Sequence, residues 1–65
     1  MEQLLTVAEL SNLLKVKPST IYHWTSAGFI PHVKVGRFIR FRASDVEAWL
    51  KQRQRHGRET MAIHD

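Results

Sequence analysis

The sequence contains no cysteine, which excludes disulfide staples and thiolate-bound metal. It is also short, at 65 residues. A chain of this size buries a modest core, so a few large side chains must hold it: Trp24, Trp49, Phe29, Phe38, Phe41 and the Leu, Ile and Val around them. There is no internal repeat, no low-complexity run and no sign of a second domain. No apolar run approaches the roughly 20 residues that span a bilayer. The opening Met1-Glu2-Gln3-Leu4-Leu5 lacks the basic-then-apolar layout of a signal peptide. These absences lead us to expect a cytoplasmic protein with no membrane partner.

The most informative absence is local. Residues 15 to 42 contain no Asp or Glu, yet they carry Lys15, Lys17, Lys34, Arg37, Arg40 and Arg42. The net charge of +4 is therefore concentrated rather than spread. An uninterrupted positive field favours a polyanionic partner over a merely solvated surface.

What is present divides into short elements. Thr6-Val7-Ala8-Glu9 is a capping box, in which Thr6 accepts from the Glu9 N–H and Glu9 reaches back to the Thr6 N–H. It predicts a first helix from about Val7 to Leu14, with Val7, Leu10, Ser11 and Leu14 facing inward and Leu13 beside them. Lys15-Val16-Lys17 is a tight connection whose apolar Val16 plugs the core. Pro18 suits a first helical position and Gly28 the left-handed residue just past a helix end. A second helix over Pro18–Ala27 follows, and the pair reads as a helix-turn-helix. Ile21, Trp24 and Thr25 form its inner face; Ser19, Thr20, His23 and Ser26 form the outer face, with Tyr22 on the flank.

Pro31 stops further helix. His32-Val33-Lys34-Val35 and Phe38-Ile39-Arg40-Phe41-Arg42 are rich in strand formers, and Gly36-Arg37 between them suits a type II′ hairpin turn. Alternation predicts Val33, Val35, Ile39 and Phe41 toward the core, with Lys34, Phe38, Arg40 and Arg42 outward. Ser44-Asp45-Val46-Glu47 reads as a second capping box. The third helix then carries Val46, Trp49 and Leu50 at core spacing and continues to about Arg55. We expect a small α+β winged helix-turn-helix domain over residues 1–55: a helix-turn-helix, a two-stranded antiparallel hairpin as the wing, and a third helix. Residues 56–65 read as a C-terminal tail without clear period.

Set out in this order, the chain resembles the excisionase-type winged helix-turn-helix family, distant kin of the MerR-type DNA-binding domains. The likeness covers about Leu5 to Arg53. It rests on Leu5-Thr6-Val7-Ala8-Glu9, Ser19-Thr20-Ile21-Tyr22-His23-Trp24, Ala27-Gly28-Phe29-Ile30-Pro31, Val35-Gly36-Arg37, Arg40-Phe41-Arg42 and Asp45-Val46-Glu47-Ala48-Trp49-Leu50. Ser11 stands where the family often has Ala, and Lys15 where the turn often has Gly. The resemblance implies a DNA-binding module of the kind found in phage and mobile-element excision factors and in AlpA-type regulators.

In such a module the second helix reads base edges in the major groove. Its candidate contacts are Ser19, Thr20, Tyr22, His23 and Ser26. Tyr22 and His23 are the candidates for base contact; the ordinary alternatives are a Tyr22 ring half packed against the wing and a solvated His23. Trp24 is core. The wing candidates are Lys34, Gly36, Arg37, Arg40 and Arg42, with Arg37 at the tip suited to a narrow minor groove. Arg42 either contacts phosphate or pairs with Asp45 or Glu47. Lys15 and Lys17 flank the reading helix as phosphate contacts. Phe38 is the odd residue: it packs on DNA sugars, meets a neighbouring protomer, or folds back onto Tyr22 or Trp24, the last being the ordinary expectation.

Nothing suggests catalysis, a cofactor or a metal. His23, His32, His56 and His64 are scattered, and the carboxylates sit where helix capping explains them. The expected partner is double-stranded DNA. The resemblance adds a site-specific integrase and cooperative self-association on DNA, as in an architectural excisionase that bends DNA and directs excision of a phage or mobile element. A small transcriptional regulator would use the same surface. A protein-interaction module on the same scaffold is the third alternative, and the acid-free stretch argues against it.

Overall fold

Helix α1 (Val7–Leu14) begins where its capping box puts it. The Glu9 N–H donates to Thr6 Oγ1 at 3.1 Å and the Thr6 N–H donates to Glu9 Oε1 at 2.9 Å. It ends at Lys15, whose φ of 60° and ψ of 44° are left-handed, and the Val16 N–H closes the end on the Ser11 carbonyl at 3.0 Å. Helix α2 (Pro18–Ser26) follows directly, with Pro18 at its first position. The computed structural model describes residues 1–54. The expected tail over 56–65 and the extension of the third helix to Arg55 lie outside the described residues.

The end of α2 is a complete Schellman motif. Gly28, at φ 72°, donates to the Thr25 carbonyl at 3.1 Å, and the Phe29 N–H donates to the Trp24 carbonyl at 2.8 Å. The apolar contact that accompanies the motif is present too, with the Phe29 and Trp24 ring centroids 5.6 Å apart. Trp49 joins both rings at 5.6 and 5.7 Å, and its Nε1–H donates to the Phe29 carbonyl at 2.9 Å. One aromatic cluster thus ties the end of α2 to the last helix.

Strands β2 (Val33–Val35) and β3 (Phe38–Arg42) form the hairpin. Gly36 has φ 63° and Arg37 is not left-handed, the pattern of signs that a type II′ turn requires. A third strand, β1 (Leu4–Leu5), pairs antiparallel with the far end of β3, so the sheet order is β1-β3-β2. Strand β3 then runs without a loop into α3 (Ala43–Gln52).

The core gathers Val7 and Leu10 from α1, Ile21 from α2, Ile30, Phe41 from β3, and Val46 and Trp49 from α3. Phe41, Leu10, Ile21 and Ile30 are fully buried, each contributing about 1.5–3 kcal/mol of transfer free energy. Two buried hydroxyls are satisfied within their own helices: Ser11 Oγ donates to the Ala8 carbonyl at 2.9 Å and Thr25 Oγ1 to the Ile21 carbonyl at 2.8 Å. The architecture is a small α+β winged helix-turn-helix, with one more strand than the sequence suggests.

Four expectations need correction. Val33 and Val35 do not point to the core: Val33 is half-buried, Val35 is 51 % exposed, and neither joins the core cluster. Register explains it. The turn sets Val35 opposite Phe38, Lys34 opposite Ile39 and Val33 opposite Arg40, and residues directly opposite share a face. Ile39 and Phe41 are core-side, so Lys34 goes with them, and both valines share the outer face with Phe38, Arg40 and Arg42. Second, Leu50 is exposed rather than inward, as is Leu13 beside the inward face of α1. With Leu5, Val46 and Ala43 they line an open groove between α1 and α3, because helices this short bury only one narrow stripe. Third, Ser44 does not cap α3. Arg42, in extended conformation, is the cap residue, and Ser44 Oγ donates to Glu2 Oε2 at 3.0 Å. Fourth, α2 stops at Ser26, with Ala27 as its cap.

Candidate nucleic-acid interface

Two elements with opposite chemistry stand side by side. Helix α2 presents an uncharged polar face, and the hairpin beside it presents cations. Ile21 and Thr25 are buried, which forces Ser19, Tyr22, His23 and Ser26 outward; all four are exposed, and Thr20 is half-buried. Tyr22 is 54 % exposed, so its hydroxyl and much of its ring are open. Lys17 caps α2 through its backbone alone, and no side chain covers the N–H groups of the first turn. Lys15 and Lys17 are both exposed at the entrance to this helix.

At the wing tip Gly36 keeps the backbone bare: a Cβ there would meet nothing within 4 Å, and the positive φ is the reason for glycine. The neighbouring side chains are organised around Phe38. The Arg37 guanidinium lies 5.4 Å and the Arg40 guanidinium 5.3 Å from its ring centroid. Arg40 is further fixed by Nη1–H donating to the Ile39 carbonyl at 2.8 Å. Phe38 itself is 53 % exposed, and among the described residues its ring packs on no other aromatic ring. It does not fold back onto Trp24, whose ring partners are Phe29 and Trp49.

An open cleft of about 210 Å³ separates α2 from the wing, lined by Tyr22 of α2, by Arg37, Phe38, Ile39 and Arg40 of the wing, and by Val7 and Ala8 of α1. The fold therefore brings Tyr22, Arg37 and Arg40 to one opening. Lys34, which stands on the opposite face of the hairpin from Arg40, is not among the residues that line it. Arg42 lies further along the sheet, with its Nε 4.0 Å from Asp45 Oδ2. Both side chains of that pair are about half exposed, so the contact is weak and leaves Arg42 a positive surface group. Among the described residues this is the sole ion pair, and Lys15, Lys17, Lys34, Arg37 and Arg40 face no carboxylate at salt-bridge distance.

Sequence reasoning missed the packing of Arg37 and Arg40 on the Phe38 ring. A signal was available: Phe38 and Arg40 are two apart on one strand and so share a face. It also missed Arg53, whose guanidinium stacks 4.4 Å from the Phe29 centroid and 4.8 Å from that of Trp49, covering the aromatic cluster. Among the described residues no cluster of three or more His, Asp or Glu could hold a metal ion, and no helix is long and apolar enough to cross a membrane.

A protein-family model described as a helix-turn-helix domain matches residues 4–54. Two curated relatives, from the CDC 1551 / Oshkosh and ATCC 25618 / H37Rv strains of Mycobacterium tuberculosis, are named as candidate DNA-binding proteins. Each is 43% identical to this chain over 49 residues, covering 75% of the chain and 63% of the relative. The chain thus spans less than two thirds of the length of the curated relatives it matches. No solved structure matches it.

Proposed function

The chain belongs to the helix-turn-helix domain family, a DNA-binding family, and from that premise we propose that it binds duplex DNA with α2 in the major groove and the β2–β3 hairpin in the adjacent minor groove. The observation that carries this reading is the pairing of surfaces: an uncharged, hydrogen-bonding face on α2 beside a wing whose Arg37 and Arg40 face no carboxylate among the described residues. Affinity comes from Lys15, Lys17, Lys34, Arg37, Arg40 and Arg42 meeting phosphates; discrimination comes from Ser19, Thr20, Tyr22, His23 and Ser26 at base edges and sugars.

This division of labour bears on the biological role. A reading helix without Lys or Arg forgoes the bidentate contact to guanine, the commonest specific contact in direct readout. Discrimination at one isolated site is then modest, and useful specificity comes from several copies on adjacent sites. That behaviour suits an architectural excisionase that bends DNA and helps a site-specific integrase assemble the excisive complex, as the family resemblance implies. A small transcriptional regulator would use the same residues, and footprinting of the DNA flanking the gene separates the two roles. Repeated sites beside an attachment site support excision, whereas one site over a promoter supports regulation.

The direct test is a salt titration of duplex binding. Each neutralised phosphate contributes a slope of about −0.9 to log K against log salt. The parent should show a steep slope, and a variant combining Arg37→Ala with Arg40→Ala should flatten it by about 1.8. A binding constant that stays level from low to moderate salt rules the mechanism out. Unchanged affinity in the double variant would favour a protein-interaction module instead.

A further inference from the structure

An exposed phenylalanine on a sheet face next to solvent needs a reason. Phe38 supplies nothing to the core: it is 53 % exposed and lies on the outer face with Val35, Arg40 and Arg42. What it does contact is charge. Two guanidinium groups share its ring, at 5.4 Å for Arg37 and 5.3 Å for Arg40. No carboxylate among the described residues stands within salt-bridge distance of either. The ring quadrupole attracts both groups and holds them beside it. Arg40 is held at a second point, by its bond to the Ile39 carbonyl at 2.8 Å. The assembly thus spends rotamer freedom before any partner arrives, so an anion that binds there meets a smaller ordering cost.

We propose that Phe38 is a positioning residue for DNA binding: its ring pre-sets Arg37 and Arg40 in the geometry that meets backbone phosphates at the mouth of the cleft beside Tyr22. The inference rests on the DNA-binding reading above. Phe38 need not touch DNA. It acts through the two arginines, by removing most of the ordering cost that each long side chain otherwise meets on binding.

The test compares the parent, Phe38→Leu, Phe38→Trp, Arg37→Ala and Arg40→Ala on a short, fluorescently labelled mixed-sequence duplex, titrated with salt. Nitrogen-15 relaxation of the arginine Nε–H groups is recorded on the free proteins. Phe38→Leu should weaken binding about 2- to 5-fold at fixed salt, the size of losing one exposed cation–π arrangement, yet keep the parent's salt slope because the same phosphates are still met. Its Arg37 and Arg40 Nε–H groups should be more mobile than the parent's. Phe38→Trp should restore affinity and order. Each arginine variant, by contrast, should flatten the slope by about 0.9. Phe38→Leu binding as tightly as the parent overturns the inference and leaves the DNA reading intact. So does a slope that falls along with the affinity, or equal guanidinium order in both proteins. A parent that ignores the duplex overturns the DNA reading and the inference with it. The Trp24 and Trp49 signals monitor folding throughout, and because Phe38 lies outside the core, Phe38→Leu should melt within a few degrees of the parent.

Discussion

Lys15 is placed so that one substitution should move stability and DNA affinity in opposite directions. It ends α1 with a φ of 60°, and it is the sole non-glycine residue in the left-handed region among the described residues. For an L-residue that conformation costs about 1–2 kcal/mol, and Gly removes the cost. Gly also gives the unfolded chain more freedom, which returns about 0.4–1 kcal/mol of the gain. Lys15→Gly should therefore stabilise the fold by about 0.5–1 kcal/mol, a rise in Tm of about 4 °C for a domain of this size. Lys15→Ala is the matched control: it removes the same charge and keeps the strained backbone. On DNA the two variants should behave alike, each losing one phosphate contact and flattening the salt slope by about 0.9. Thermal melting followed by circular dichroism, alongside fluorescence anisotropy on duplex DNA across a salt series, reads both quantities. If Lys15→Gly is no more stable than Lys15→Ala, the strain argument is wrong. If both variants keep the parent's salt slope, Lys15 stands off the DNA.

Further substitutions probe how α2 and the helices packed around it are held. Gly28→Ala should cost about 1 kcal/mol: φ is 72° and a Cβ would meet nothing within 4 Å, so the penalty is conformational, and Gly28→Asn should cost less in the same urea titration. Trp49→Phe keeps an aromatic ring in the cluster but removes the Nε1–H that donates to the Phe29 carbonyl at 2.9 Å, so the urea midpoint should fall by the equivalent of about 1 kcal/mol. Leu10→Ala and Leu13→Ala contrast two leucines of one helix. Leu10 is fully buried and its loss should cost about 2–5 kcal/mol, whereas Leu13, 63 % exposed, should cost within about 0.5 kcal/mol by thermal melting.

Legibility followed the range of the interactions involved. The start of α1 is set by a side chain three residues away, Glu9 on Thr6, and the end of α2 by Gly28 and its neighbours; both could be read along the chain. The Gly36-Arg37 turn is equally local. Strand β1 is not: Leu4 and Leu5 are strands because Arg42 and Phe41 lie beside them, a pairing no local pattern announces. The Ser44 cap motif matched in sequence, but β3 runs directly into α3, so the chain enters the helix two residues earlier and Arg42 takes the position. The facing of the hairpin is a different case. The position of the turn is legible, and the register follows from it. Alternation along each strand taken separately points the hydrophobic valines to the core, whereas the register across the turn sets them opposite Phe38 and Arg40.

That last correction changes how the wing can work. With Val35 opposite Phe38 and Lys34 opposite Ile39, Lys34 and Arg40 cannot act from one side of the hairpin. They stand on its two faces, with Arg37 at the tip between them. A minor groove about 6 Å wide is walled by a phosphate strand on each side. On the DNA-binding reading, a hairpin entering such a groove gains more from a cation on each face than from two on one face, because each wall then meets its own positive group. Arg40 on the Phe38 ring serves one wall, in fixed geometry, and Lys34, on a flexible stem, serves the other. Removing either should cost one phosphate contact. Removing both should cost the sum, since groups on opposite faces of a sheet share no partner. A double variant, Lys34→Ala with Arg40→Ala, whose loss falls well short of that sum would place both residues on the same strand of DNA and refute the bracketing geometry.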